Sequence, residues 1–193
     1  MALKLITPAA AEPVSLAEAK LQLRVDVSDD DVLITGLITA AREAVETITR
    51  RALVTQTWEL VLDEFPGGSQ VEMPLPPLQS ITSIKYKVAA GTESTFASSS
   101  YVVDTDSAPG RVVLDDGASW PGDDLYEASA VRIRFVAGYG ATGAAAPQSI
   151  RQAMLLMIGH WYESREQVVE GTPREIPMGA EWLLQTYRNW GHW

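Results

Sequence analysis

The stretch VRIRFVAGYGATG, residues 131–143, decides the fold, and two readings compete for it. A strand-like run leads into Gly138, Gly140 and Gly143, which have the G-x-G-x-x-G spacing that cradles a dinucleotide pyrophosphate. A helical pattern, PQSIRQAMLLMIGHWYESRE, follows from residue 147. The fingerprint also needs a first strand buried on both faces, a helix that starts within the glycines, and an acidic residue ending a second parallel strand. None of these is present. Val131, Ile133 and Phe135 alternate with Arg132 and Arg134, the pattern of an antiparallel strand with one wet face. The helix starts near Pro147, past the third glycine, and Glu163, at about the right offset, lies inside that helix. The stretch therefore predicts an antiparallel strand that leaves its sheet through a glycine hinge.

Working outward, the hydrophobic period divides the chain into three regions. Residues 15–53 read as helical. Ser15 and Glu18 form a capping box ahead of LAEAKLQLRV. Ser28 is placed to cap a second helix, with Val27 and Val32 as its hydrophobic staple and Asp29, Asp30 and Asp31 at its positive end. That helix carries Leu33, Leu37, Ala40, Ala44 and Ile48, and beside them Ile34, Ile38, Ala41 and Val45. A stripe this wide predicts more than one packing partner, another subunit among them. From about residue 55 to 138 the period falls to two, with about five strands separated by Pro66-Gly67-Gly68, Ala90-Gly91, Pro109-Gly110 and Pro121-Gly122. MPLPPL, 73–78, has too many prolines for a central strand. The third region is helical again, with Ile150, Met154, Met157, Ile158 and Trp161 on one stripe, a break at Gly171, Pro173 and Pro177, and a short helix from about Ala180. The expected fold class is α+β, a helical bundle core with an inserted antiparallel β-rich region. Its parts are 1–54, 55–140 and 141–193.

Composition narrows the function. The chain has 193 residues and no cysteine, so disulfides and thiolate metal sites are excluded. No segment approaches the roughly 20 apolar residues of a membrane span, and no signal-peptide core stands at the start, so synthesis in the cytoplasm and no membrane partner are expected. The formal net charge is −10, and the 15 basic residues are scattered along the sequence. Tight binding to phosphate backbones needs clustered cations. A helix-turn-helix reading of the first two helices fails too, because RVDVSDDD would bring four aspartates to the groove.

No residue set selects a catalytic, cofactor or metal site. His160 and Glu163 lie one turn apart but lack further partners, so a hydrogen-bonded, partly buried histidine is expected. Asp104 with Asp106, and Asp115 with Asp116, lack the remaining ligands of a calcium loop and read as turn residues. The C-terminus is different. Trp182, Tyr187, Arg188, Trp190 and Trp193 crowd the last dozen residues, and Trp, Tyr and Arg are the usual interface anchors.

The order of segments carries a resemblance. PVSLAEAKLQLRVD, RALVTQTWELVLDEFP, LPPLQSITSIKY, GRVVL, VRIRFVAGYG and the SIRQAMLLMIGHWYESRE helix together resemble the long form of tailed-phage head–tail connector (adaptor) proteins, which also occur in prophages and gene transfer agents. The resemblance implies a non-enzymatic ring, commonly of twelve subunits, at the head–tail junction of a virion or virus-like particle. Its implied partners are the portal protein above and stopper or tail proteins below, with DNA passing non-specifically through the channel. It makes Trp182, Tyr187, Arg188, Trp190 and Trp193 candidates for the portal interface, and Ile34, Ile38 and Val45 candidates for the subunit interface. A β-rich binding module or an enzyme with helical flanks is the alternative. The segment 178–193 is expected to reorganise on assembly, and a chain ending at Glu175 to fold. Calorimetry with NAD or ATP should give no binding heat; measurable affinity that disappears in Gly140→Val would restore the nucleotide reading.

Overall fold

A computed structural model describes residues 1–164 and 177–190. In chain order the elements are β1 (Ala2–Thr7), α1 (Leu16–Leu23), α2 (Asp31–Thr49), β2 (Gln56–Leu62), β3 (Gln70–Glu72), β4 (Leu78–Lys87), β5 (Glu93–Phe96), β6 (Tyr101–Asp104), β7 (Arg111–Leu114), β8 (Val131–Ala137), α3 (Gln148–Glu163) and α4 (Met178–Gln185). The class is α+β. The described chain forms two compact units. One joins Met1–Ala9 to Thr55–Gly138 and holds the strands; the other joins Ala10–Val54 to Tyr139–Trp190 and holds the helices.

In the β unit, a five-stranded antiparallel sheet has the order β1-β2-β8-β4-β5, and a second sheet has the order β3-β7-β6. The opening stretch supplies β8, the central strand of the five-stranded sheet. β8 pairs with β2 from Gln56↔Ala137 to Leu62↔Val131, and with β4 from Leu78↔Ala137 to Tyr86↔Val131. Its burial alternates along the whole strand: Val131, Ile133, Phe135 and Ala137 are fully buried, while Arg132 and Arg134 reach the other face. Burying each of the three larger side chains, Val131, Ile133 and Phe135, contributes about 1.5–3 kcal/mol, and a slip of one residue would turn the set to the wet face. Residues 2–7, read from the sequence as part of the helical region, instead form edge strand β1 on β2. The alternation of Leu3 and Leu5 with Lys4 is too short to mark a strand until β2 provides a partner. Stacked aromatics close the other part of the unit: Phe65 lies 5.0 Å from Trp120, and Phe96 lies 5.9 Å from Tyr101.

In the helical unit, Ser15 caps α1 as expected. Its hydroxyl accepts from the Glu18 amide, and the Glu18 carboxylate accepts from the Ser15 amide at 2.9 Å. The start of α2 differs from expectation. Its cap is Asp30, with no side-chain capping bond, and Val27 and Val32 are exposed rather than stapled together. Asp30 and Asp31 are held instead by Tyr162 and Lys20: the Tyr162 hydroxyl donates to Asp30, and Lys20 Nζ lies 2.6 Å from Asp31. The core gathers Ile34, Ile38, Ala41 and Val45 of α2, Ile150, Ala153, Met154, Met157 and Ile158 of α3, and Ala180 and Leu184 of α4.

A short non-helical segment, residues 12–13, is fastened between these helices. Glu12 accepts from Thr39 at 3.0 Å and from Arg42 Nε at 2.8 Å. Arg42 also reaches Glu46 at 2.9 Å, and Glu46 accepts from the Leu53 amide at 3.0 Å. Burial opposes the Arg42 charge, but Glu46 and Glu12 outweigh it, so the guanidinium pKa is raised. Arg151 donates from Nε to the Pro13 carbonyl at 2.9 Å and pairs with Glu18. The Glu18 pKa is lowered, chiefly by the Ser15 backbone and hydroxyl bonds, against the opposing effect of burial and with help from Arg151.

The three glycines do not make a loose hinge. Gly138 has φ +128, its amide donates to the Pro77 carbonyl, and its carbonyl accepts from Gln79 at 2.7 Å. A Cβ on Gly140 would sit 2.7 Å from the Ala145 Cβ. A Cβ on Gly143 would sit 2.0 Å from the Glu12 carbonyl oxygen, so the backbone of residue 143 lies against the fastened segment. The glycines permit close packing, and the helix begins only at Gln148.

Gly143→Ala should lower stability by about 1–3 kcal/mol, read as a lower urea midpoint with unchanged slope. Gly36→Ala, in α2 with open space around it, should raise stability by up to about 1 kcal/mol. Because the folded Glu18 pKa lies below its unfolded value, its stabilisation is present above the unfolded value and is lost as pH falls through the folded one. Glu18→Gln should therefore be weaker than wild type at neutral pH, by less than about 1 kcal/mol at this solvated position, with the gap closing in acid urea melts.

Candidate functional site

The C-terminal part of the helical unit presents the sequence-selected aromatics on a fixed frame. α4 has two faces. Ala180 and Leu184, one turn apart, are fully buried, and Leu183 and Tyr187 pack partly against the same core. Met178 and Trp182, also one turn apart, point outward at 85% and 75% exposure. The residues after α4 are tied back to the end of α2. Arg51 Nε donates to the Tyr187 carbonyl at 2.5 Å, and the Asn189 amide donates to the Thr49 carbonyl at 2.9 Å. Beyond these ties Trp190 is 68% exposed, and the Arg188 guanidinium lies over its ring at 4.7 Å.

The five selected residues thus separate by environment. Trp182, Arg188 and Trp190 are presented to solvent, Tyr187 is partly buried, and Trp193 lies outside the described residues. Large exposed tryptophans next to an arginine have the chemistry of anchors awaiting a surface. The expected break at Gly171 and Pro173 also lies outside the described residues. A chain ending at Glu175 would lack Ala180 and Leu184, which fill the core, so that truncation removes core packing together with the aromatics.

The wide stripe of α2 resolves into two sides. Ile34, Ile38 and Val45, selected for a subunit contact, are at most 2% exposed in the chain's own core. Side chains so covered offer no surface to a second subunit. Periodicity identified the stripe but could not say which half faces inward. The outer half of the helix holds Val32, Leu33, Gly36 and Ala40, all exposed, with Val32 at 88%.

The other sequence candidates have plain roles. His160 is half-buried in α3. Asp104 organises a turn. It accepts from the Ser107 hydroxyl at 2.6 Å, from Arg111 Nε at 2.9 Å and from the amides of Ser107 and Asp106, and its pKa is lowered to about 2 by these bonds. Asp115 accepts from the Asp116 amide. Among the described residues, no group of three or more His, Asp or Glu side chains is arranged to hold a metal ion, and no helix is long and apolar enough to cross a membrane.

This α+β arrangement is similar to that of proteins in the neck of gene transfer agent particles. Over its whole length the chain is similar to a protein in the neck of an empty gene transfer agent particle solved with C6 symmetry, at 27% identity and a TM-score of 0.83, covering 98% of that chain. It is equally similar in extent to a protein in the neck of the native particle solved with C12 symmetry, at 27% identity and a TM-score of 0.80. A chain in the virion of the native particle shares the fold at 24% identity and a TM-score of 0.81. No curated protein matches in sequence. The family of phage gp6-like head–tail connector proteins matches residues 13–105, from Pro13 through β6. The chain is thus similar to head–tail connector proteins over those residues and to gene transfer agent neck proteins over its whole length.

Ile38→Asp should abolish cooperative folding, since it buries an unpaired carboxylate; far-ultraviolet dichroism and urea melting read the loss directly. Leu33→Asp, on the outer half of α2, should fold with a midpoint near that of wild type.

Proposed function

We propose that this chain forms a ring at the head–tail junction of a phage-like particle, docks beneath the portal vertex, extends the DNA channel and offers a platform to stopper or tail proteins. The observation that carries the reading is the likeness of the entire chain to neck proteins solved in symmetric particles, two of them at 27% identity. Twelve subunits agree with the C12 symmetry of one of those necks. A ring turns weak single contacts into strong attachment, because once one subunit is engaged the others bind at high effective concentration.

Within this reading Trp182, Arg188 and Trp190 face the portal, with Trp193 continuing the set and Tyr187 steadying the segment from behind. A tryptophan that fills a pocket at such a contact is worth about 2–4 kcal/mol. The frame supports docking with little prior ordering, since Arg51 and Thr49 already hold residues 187 and 189. Any reorganisation of 178–193 on assembly then has to keep or replace the burial of Ala180 and Leu184. DNA passes through the ring without being held. The acidic chain works against lasting phosphate contacts, and transient ones fall with salt.

Trp182→Ala combined with Trp190→Ala leaves the core untouched and should fold as wild type. Its association with purified portal, followed by sedimentation, should weaken at least about tenfold, the equivalent of about 1.4 kcal/mol. Undiminished association would remove these aromatics from the portal contact. Wild-type protein that neither self-associates nor binds portal would overturn the ring reading.

A further inference from the structure

The β unit is electrically polarised in a way the sequence does not display. Apart from Arg111, every Lys and Arg of this unit (Lys4, Lys85, Lys87, Arg132 and Arg134) stands on one face of the five-stranded sheet. The register fixes this: Lys4 pairs with Glu59 and Glu59 with Arg134 across β1, β2 and β8, while Arg132 stands opposite Lys85 across β8 and β4. Lys87 follows two residues along the same strand. The only acids among the strand residues of this face are Glu59 and Glu93. Glu59 lies buried beneath Arg134 at 3.0 Å and Arg132 at 3.5 Å, and Glu93 pairs with Lys85 at 2.7 Å. The face keeps a positive excess, and its arginine side chains remain 43% exposed.

A group of the unit's acids stands at one end of the sheet, beside the N-terminal ammonium, which lies 3.9 Å from Asp63. Asp63 and Glu64 follow the end of β2, and Asp123, Asp124 and Glu127 lie in the loop before β8; all are exposed. Two bonds bring these loops to the same end of the sheet: the Ser129 amide donates to the Asp63 carboxylate at 2.8 Å, and the Ala89 amide to the Asp124 carbonyl at 2.7 Å. No lysine or arginine lies in either loop. Like charges directly opposed across strands, as Lys85 and Arg132 are, destabilise a sheet. A basic face kept at that cost, on a chain of net charge −10, calls for an acidic surface outside the sheet.

We infer that the basic face of the sheet in one copy docks against the acidic rim of a second copy. The inference rests on the ring reading above and supplies a contact for it. Both halves are carried by every chain, so the contact is heterologous and repeats from copy to copy, as ring closure requires. A second copy fits better than DNA: a duplex attracted to the face would be repelled by the rim of the same unit, whereas another copy carries its own acidic rim for the face to attract. The contact sets orientation between neighbours and weakens with salt, since exposed charges are screened within about 8 Å at physiological ionic strength.

The test is a charge swap read by sedimentation across a salt series, with dichroism and melting to establish folding. A face variant, Lys4→Glu with Lys85→Glu, leaves the two arginines that neutralise buried Glu59. A rim variant replaces Asp123, Asp124 and Glu127 with lysine. Each alone should self-associate at least about tenfold more weakly than wild type. Mixed in equal amounts they should regain assembly, because alternating copies restore every contact. Folded variants that assemble like wild type, or a mixture that gains nothing, would overturn this contact while leaving the ring intact. A face variant that assembles normally but loses a duplex DNA shift shown by wild type would assign the face to nucleic acid and likewise overturn it. Wild-type protein that stays monomeric at every salt and protein concentration would remove the ring reading and this contact together.

Discussion

The helical unit depends on how the backbone at residues 12–13 is held. Gly143 lies against the Glu12 carbonyl with no room for a side chain, Arg42 and Thr39 grip the Glu12 carboxylate, and Arg151 takes the Pro13 carbonyl. These are charge-assisted bonds at partly buried positions, where an unmade bond costs more than a made one gains. They tie the approach to α1, the middle of α2, the start of α3 and the turn before it to one stretch of chain. The same arginines reach Glu46 and Glu18, so the helix ends and the Ser15 cap share that network. Apolar burial supplies the larger stabilising energy, and the polar clamp fixes which arrangement that burial takes.

In the β unit the corresponding constraint is the alternation of β8. One face gives Val131, Ile133, Phe135 and Ala137 to the core; the other gives Arg132 and Arg134 to a surface where Glu59 is buried beneath them. A buried carboxylate is tolerable only while its cations stay, so these two arginines serve the sheet as well as the surface. Lys4 and Lys85 carry no such duty. Lys4 also suits an edge strand, where a charged side chain discourages uncontrolled pairing. The proposed docking through charge on a sheet face, rather than through an open sheet edge, agrees with that guard.

The exposed large apolar side chains among the described residues include Met178, Trp182 and Trp190 near the C-terminus, Leu21, Val27, Val32 and Leu33 around the start of α2, and Leu3, Leu5 and Ile6 on β1. Each surface alone is modest; in the proposed ring, repetition would multiply it. The glycine-rich stretch belongs to this structural economy. It lets backbone meet backbone at Gly143 and turns the chain at Gly138, and its resemblance to a pyrophosphate cradle is a matter of spacing alone.

Much of this was legible in sequence, for local reasons. The Ser15 capping box is a contact within one turn, the period change near residue 55 reflects backbone geometry, and the strict alternation of 131–137 announces one wet and one dry face. The aromatic anchors were legible as residue types. What the sequence could not decide was which way shared patterns turn. α2 carries apolar residues over a wide arc, and only packing against α3 and α4 put Ile34, Ile38 and Val45 inside while leaving Val32 and Leu33 outside. β1 is too short to declare itself without β2 beside it. The basic residues look scattered because Lys4, Lys85 and Arg132 are far apart along the chain; strand register, a long-range property, brings them onto one face. Sequence determined the elements and their local caps, since these depend on neighbours within a few residues. The tertiary structure decided burial, register and the distribution of charge, since these depend on partners that the chain meets only when folded.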